Sequence, residues 1–161
     1  ILDVISTTTG CAWRGPGQNC YYRGYDTPIR SMKAMPARVT HSQSVAEYWF
    51  EEGCHIQEIG NTPDDPDVSI ARARVAPGAR THWHRLEGIF ERYLIVEGCG
   101  TAEIGDLAPA VVSSGDLVLI PPGVPQRITN DGHGDLVFYA ICSPRFSPDR
   151  YRELDAENPG S

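Results

Sequence analysis

Two imidazoles, a carboxylate and an amide stand at spacings that could let them act together. His82 and His84 are two residues apart, and Arg80 and Leu86 continue the same spacing. On an extended strand such residues share one face, with steps of about 6.6 Å. Glu91, Tyr93 and Ile95 form a second row of this kind, and Gln126, Ile128 and Asn130 a third. Imidazole nitrogens with carboxylate and amide oxygens suit iron, manganese, nickel, copper or zinc, and no thiolate stands in the rows to favour a softer ion. The same groups could equally form a hydrogen-bonding network around an organic ligand. Tyr93 offers a phenol able to donate a proton, and also a ring able to fill a core.

Other reactive side chains lead to less. Arg72 and Arg74 share a face with Val68 and Ile70 and are expected to pair with surplus carboxylates. Trp83 and Arg85 alternate with the histidines and are expected outside. Cys99 has no neighbour to activate its thiol, and Ser113-Ser114 has no histidine at a suggestive distance. Cys11 and Cys20 lack a nearby histidine to complete a zinc set.

Strands must position these rows. Gly and Pro together make 29 of the 161 residues, which favours many turns over long helices. Short apolar stretches recur between turn residues: 54–59, 68–75, 89–96, 101–104, 111–112, 117–120, 126–129 and 136–142. Ser147-Pro148 is expected to start one short helix running through Leu154. Residues 1–44 are rich in Gly, Pro, Arg and Tyr and show neither helical nor strand period. The domain reading is therefore an irregular N-terminal arm or leader over 1–44, a β-domain over 45–146, and a short helix and tail over 147–161.

Two motifs then add a family. Pro77-Gly78, five residues, His84, one residue, Leu86, four residues, Glu91, six residues and Gly98 resemble the first motif of the cupin superfamily. Gly115, five residues, Pro121, one residue, Gly123, two residues, Gln126, three residues and Asn130 resemble the second. The resemblance implies an all-β, double-stranded β-helix (jelly-roll) barrel. It also implies a metal site in which the first motif supplies two His and one Glu and the second a third His. Here Leu86 and Gln126 occupy two of those four positions. His82, one strand step before His84, is the candidate replacement, giving His82, His84, Glu91 and Gln126 as ligands of one divalent ion. Tyr93 and Arg80 are then the catalytic or substrate-contacting groups.

Charge narrows the partners. Residues 1–44 carry a net +3 and the remainder −10, with no Lys or Arg between Val39 and Ala71. An acidic body repels phosphate backbones, so nucleic acid is not expected. The longest apolar run, Leu136 to Cys142, has seven residues, so no membrane span is expected. Five cysteines without regular spacing suggest a reduced, cytoplasmic chain, and the arm suggests a homodimer. The functional expectation is a metal-dependent enzyme of oxygenase or isomerase/lyase type acting on a small organic substrate. The alternative is a metal-free module binding a sugar or other small metabolite.

Overall fold

Antiparallel strands account for almost every element of the computed structural model, which describes residues 37–155. Residues 1–36 of the expected arm and 156–161 of the expected tail lie outside the described residues. The strands are β1 (Tyr48–Phe50), β2 (Cys54–Gly60), β3 (Ser69–Val75), β4 (His84–Leu86), β5 (Phe90–Glu97) and β6 (Cys99–Ile104). They continue as β7 (Ala110–Ser113), β8 (Leu117–Ile120), β9 (Gln126–Thr129), β10 (Leu136–Ser143) and β11 (Tyr151–Glu153).

Two sheets face each other. One has the order β1-β2-β3-β10-β5-β8 and the other β11-β4-β9-β6-β7. Alternation decides what each strand buries. In β3, Ser69, Ala73 and Val75 are buried while Arg72 and Arg74 lean outward, where Arg74 meets Glu47 at 2.7 Å and Asp135 at 3.3 Å. Arg72 reaches the same Glu47 at 3.5 Å, so the expected pairing with carboxylates is what forms. The main core gathers Tyr93, Ile95, Val118, Ile120, Ile128, Leu136 and Phe138 between the sheets. A smaller cluster of Leu86, Ile89, Cys142 and Tyr151 fills one end, with Phe50 and Phe146 against it.

The jelly-roll reading holds, and the strands at Leu117–Ile120 and Gln126–Thr129 coincide with their expected bounds. The C-terminal element differs. Pro148 opens only a 3-10 turn, Pro148–Arg150, and the chain then becomes β11, antiparallel to β4. The Ser147 side chain does not cap that turn but bonds to the Asp149 carboxylate. With Leu154 donating its N–H to the Trp83 carbonyl at 2.7 Å, pairing with β4 satisfies the backbone better than further helix would. No helix among the described residues is long and apolar enough to cross a membrane.

The residues that close the two motifs have structural work. Gly98 joins β5 to β6 at φ +80, and a Cβ there would lie 2.5 Å from the Asp135 carbonyl oxygen. Asn130 is fully buried; its amide donates to the carbonyls of Val75 at 2.8 Å and Gly134 at 2.9 Å, while its oxygen accepts the Gly132 N–H at 2.9 Å. Asn130→Ala leaves one buried and two partly buried backbone groups without these partners and should cost on the order of 3 kcal/mol. Asn130→Asp should also destabilise, since it sets a carboxylate against two carbonyls. Urea unfolding of the variants beside the parent measures both.

Candidate functional site

The strand parity expected across residues 80–86 breaks in the middle. Arg80 makes a single bridge to Thr129, and regular pairing resumes only at His84. Between them the chain turns Thr81 inward: its N–H donates to the Ile128 carbonyl at 3.0 Å and its hydroxyl accepts the Ile128 N–H at 3.0 Å. The inward residues are therefore Thr81, His84 and Leu86, and the step from the first to the second is three residues, not two. Arg80 is exposed, and the expectation that it enters the barrel is corrected. His82 is corrected likewise. Its ring is 45% exposed and its Nδ1 lies 3.0 Å from Glu153 on β11.

His84, Glu91 and Gln126 do come together. His84 and Gln126 are register partners across β4 and β9, and Glu91 projects from β5 in the opposite sheet. All three are nearly inaccessible, at 1%, 1% and 6% for His84, Gln126 and Glu91. The Gln126 amide nitrogen donates to one Glu91 oxygen, and the Cys142 thiol on β10 approaches the other at 3.6 Å. The Gln126 amide oxygen has no hydrogen-bond partner among the described residues. His84 Nδ1 lies 2.8 Å from the His82 carbonyl. A carbonyl can only accept, so Nδ1 carries the proton and the neutral ring presents a lone pair at Nε2. The Tyr151 ring stacks on the imidazole with centroids 5.1 Å apart.

A second carboxyl completes the group. Glu52 sits in the turn between β1 and β2, its Oε1 3.6 Å from His84 Nε2. Gly53 follows at φ +98, with its Cα hydrogens facing the 80–81 backbone, where a Cβ would lie 3.1 Å from the Arg80 carbonyl oxygen. That close approach lets the Glu52 carbonyl accept the His82 N–H at 2.7 Å, which fixes the turn over the barrel end.

Glu52 and Glu91 line one cavity, about 560 Å³ counting the space at its mouth. Its walls include the aromatic side chains of Tyr48, Phe50, Tyr93, Phe138 and Phe146, with Cys54 and Cys142 near the carboxyls. Burial governs the electrostatics. It pushes Glu52 up to about 8, against a smaller opposing pull from His82. It pushes Glu91 up to about 7, with His84 and the Gln126 amide pulling down and Glu52 pushing further up. Burial lowers His84, with Glu91 opposing, and raises the Tyr93 phenol and the Cys54 and Cys142 thiols, which stay protonated. Near neutral pH the group thus holds a protonated Glu52, a neutral His84 and a Glu91 close to half ionised.

The donors do not fit the metal set expected from the sequence. One imidazole reaches the site instead of two, and the Glu91 carboxylate is engaged by an amide N–H. No group of three or more His, Cys, Asp or Glu side chains among the described residues is arranged as metal ligands. Tyr93 does face the cavity beyond Glu91. Glu52 and Tyr151 escaped the sequence reading: one lies in an acidic run without a motif, the other in the segment expected to be helical. A glutamate before the glycine of a tight turn is the only signal Glu52 offered.

Comparisons with known proteins agree with this architecture. The cupin domain family matches residues 71–142. The uncharacterized protein MJ1618 of Methanocaldococcus jannaschii is 30% identical over 110 residues, covering 67% of this chain and 87% of that protein. Among solved structures, the nucleoside dehydratase Pac13 of Streptomyces superposes with a TM-score of 0.62 at 16% identity, over 74% of this chain and 92% of that one. KdgF from Halomonas sp. gives 0.60 at 18%, over 68% and 96%, and a predicted oxalate decarboxylase of Thermotoga maritima 0.58 at 23%, over 66% and 99%.

Because His84 and Gln126 both favour the ionised form of Glu91, His84→Ala and Gln126→Ala should each move its titration above about 7. His82→Ala, removing a half-exposed ring, should leave the Glu91 titration in place and change stability by less than about 1 kcal/mol. Carboxyl carbon NMR across a pH series reads all three.

Proposed function

The chain belongs to the cupin family, and from that premise we propose that it is an enzyme moving protons on a small organic substrate, by elimination or isomerisation, without a metal step. The observation that carries this reading is the pair of proton-holding carboxyls, Glu52 and Glu91, lining one aromatic-walled cavity. A general base works best with its affinity for protons near the operating pH, and an acid must still hold its proton there. Glu91 meets the first condition and Glu52 the second.

In an elimination from a β-hydroxy carbonyl compound, the Glu91 carboxylate takes the proton from the carbon beside the carbonyl. Its electron pair forms the new C=C bond, and the β-hydroxyl leaves as water with the proton from Glu52. The Tyr93 hydroxyl, protonated throughout, is the donor suited to the carbonyl oxygen as negative charge grows there. His84 Nε2 faces Glu52 and orients it, while Gln126 holds the Glu91 carboxylate at the cavity. A nucleoside dehydratase on the same fold supports elimination chemistry in a barrel of this kind.

The reading is tested by deuterium exchange and water loss in a panel of small β-hydroxy aldehydes and ketones, followed by NMR in heavy water. Turnover should survive chelator and fall by at least about 100-fold in Glu91→Gln. Tight stoichiometric binding of iron, manganese, nickel, copper or zinc, with turnover lost on its removal, would count against it. In that case the expected ligand set built on His84, Glu91 and Gln126 would stand instead.

The carboxyls also set a pH signature for folding. Both hold protons more tightly folded than at their ordinary value of 4.5, so between that value and about 7 to 8 the folded state binds more protons than the unfolded. Stability should therefore be full below about pH 4.5 for these two groups and decline as pH rises through 7 to 8. Glu52→Gln should flatten the decline, which denaturant unfolding at several pH values measures.

A further inference from the structure

The outer face of the six-stranded sheet carries apolar side chains that nothing covers among the described residues. Leu117 and Leu119 on β8 are 55% and 53% exposed, and Leu94 and Val96 on β5 and Ile70 on β3 are each more than a third exposed. The register sets them side by side. Leu117 pairs with Leu94 and Leu94 with Tyr139, while Leu119 and Ile141 flank Arg92 in the next row and Ile141 meets Ile70. A contiguous apolar patch rimmed by polar groups marks a docking surface.

Two charges on β5 indicate what docks there. Phe138 of β10 pairs with Ile95 but Val137 pairs with Glu97, so Val96 is the extra residue of a bulge. By simple alternation Glu97 would follow Glu91, Tyr93 and Ile95 inward; the bulge turns it onto the outer face. There Glu97 is exposed and has no partner among the described residues. Arg92 lies over the Phe90 ring, 4.3 Å from its centroid, and reaches the Ser143 hydroxyl at 3.4 Å, with no ion pair among the described residues. Leu94 stands midway, two paired steps from each, so the two charges are about 13 Å apart along the strand. A two-fold axis lying across the strands at Leu94 turns one such face onto another, Leu94 on Leu94 and Leu117 on Leu117. Because a two-fold contact repeats every pairing reciprocally, it also sets Arg92 of each copy over Glu97 of the other.

We propose that this face is a dimer interface whose occupant is a second copy of the chain, with two reciprocal Arg92–Glu97 pairs fixing the register of the Leu94, Leu117 and Leu119 contact. Two sheets packed in near alignment bury such faces against each other. The inward side chains of the same strand, Glu91 and Tyr93, belong to the cavity, so the interface stands or falls apart from the acid–base reading.

Sedimentation velocity of the full chain over a concentration series at neutral pH reads the association, and a monomer–dimer equilibrium is expected. Arg92→Glu and Glu97→Arg should each weaken it at least about tenfold, because each sets like charges opposite one another. Mixed in equal amounts, the two variants should pair with each other and recover most of the parent association, since both contacts of the mixed dimer are again opposite in sign. Leu117→Lys, at a position already half exposed, should weaken the dimer as much without unfolding the chain. Val111→Lys, on the outer face of the other sheet, should leave it unchanged. If a charge variant does not fold, the two lysine variants still decide. The proposal is overturned by a parent chain that stays monomeric at about 100 μM, where any interface of micromolar affinity is formed. It is overturned equally by a dimer indifferent to Leu117→Lys, or by charge variants whose mixture associates no better than either alone. A monomer in which NMR finds residues 1–36 against the Leu94 and Leu117 methyls would replace the second copy with the chain's own N-terminal segment, and so overturn it too.

Discussion

Glu91 reaches across the gap between two sheets to an amide on the opposite one, and a carboxyl in that position must be held by something other than water. A salt bridge would hold it ionised; a metal would do the same more strongly. Here it meets one imidazole whose proton is committed to a backbone carbonyl, one amide N–H and one thiol. None of these supplies a full positive charge, so burial dominates and the group keeps its proton to near neutrality. The same burial keeps His84 neutral, Glu52 protonated and the Cys54 and Cys142 thiols un-ionised.

The residues around the site are apolar or aromatic where a ligand set would be polar. Leu86 packs with Ile89, Cys142 and Tyr151, and the Tyr151 ring covers one face of His84. This end cluster excludes water from behind the imidazole and leaves its Nε2 facing Glu52. β11 therefore does more than lengthen the five-stranded sheet. It brings Tyr151 over His84 and Glu153 against His82.

The barrel was legible because its information is local: turn residues at short intervals, alternating apolar stretches and two fixed-spacing motifs, each with a direct physical meaning at Gly98 and Asn130. The site was legible in part. His84, Glu91, Tyr93 and Gln126 lie in regular strands, where period-two parity assigns faces correctly. Arg80 and His82 were misplaced because parity was carried through a stretch that is not a strand; two hydrogen bonds between Thr81 and Ile128 reset the phase. Glu52 lies 32 residues before its partner His84 in the sequence, and only the pairing of Glu52 with His82 through the backbone brings it in.

That backbone contact has a consequence for how such a site can change. With His82 outside and the 80–83 segment pinned both to Thr129 and Ile128 and to the Glu52 turn, sliding a ligand along the strand is not open to this chain. Placing a second imidazole at Leu86 would instead add a donor at a position already buried beside Tyr151. It would have to displace apolar contacts before it reached Glu91, and it would still leave Glu52 with its proton. A metal centre and the present acid pair therefore compete for the same few ångströms. An ion held there needs Glu91 ionised and the Gln126 amide reversed, whereas the acid pair needs protons kept and positive charge kept out. Burial without a counter-charge, as at Glu52 and Glu91, favours the second.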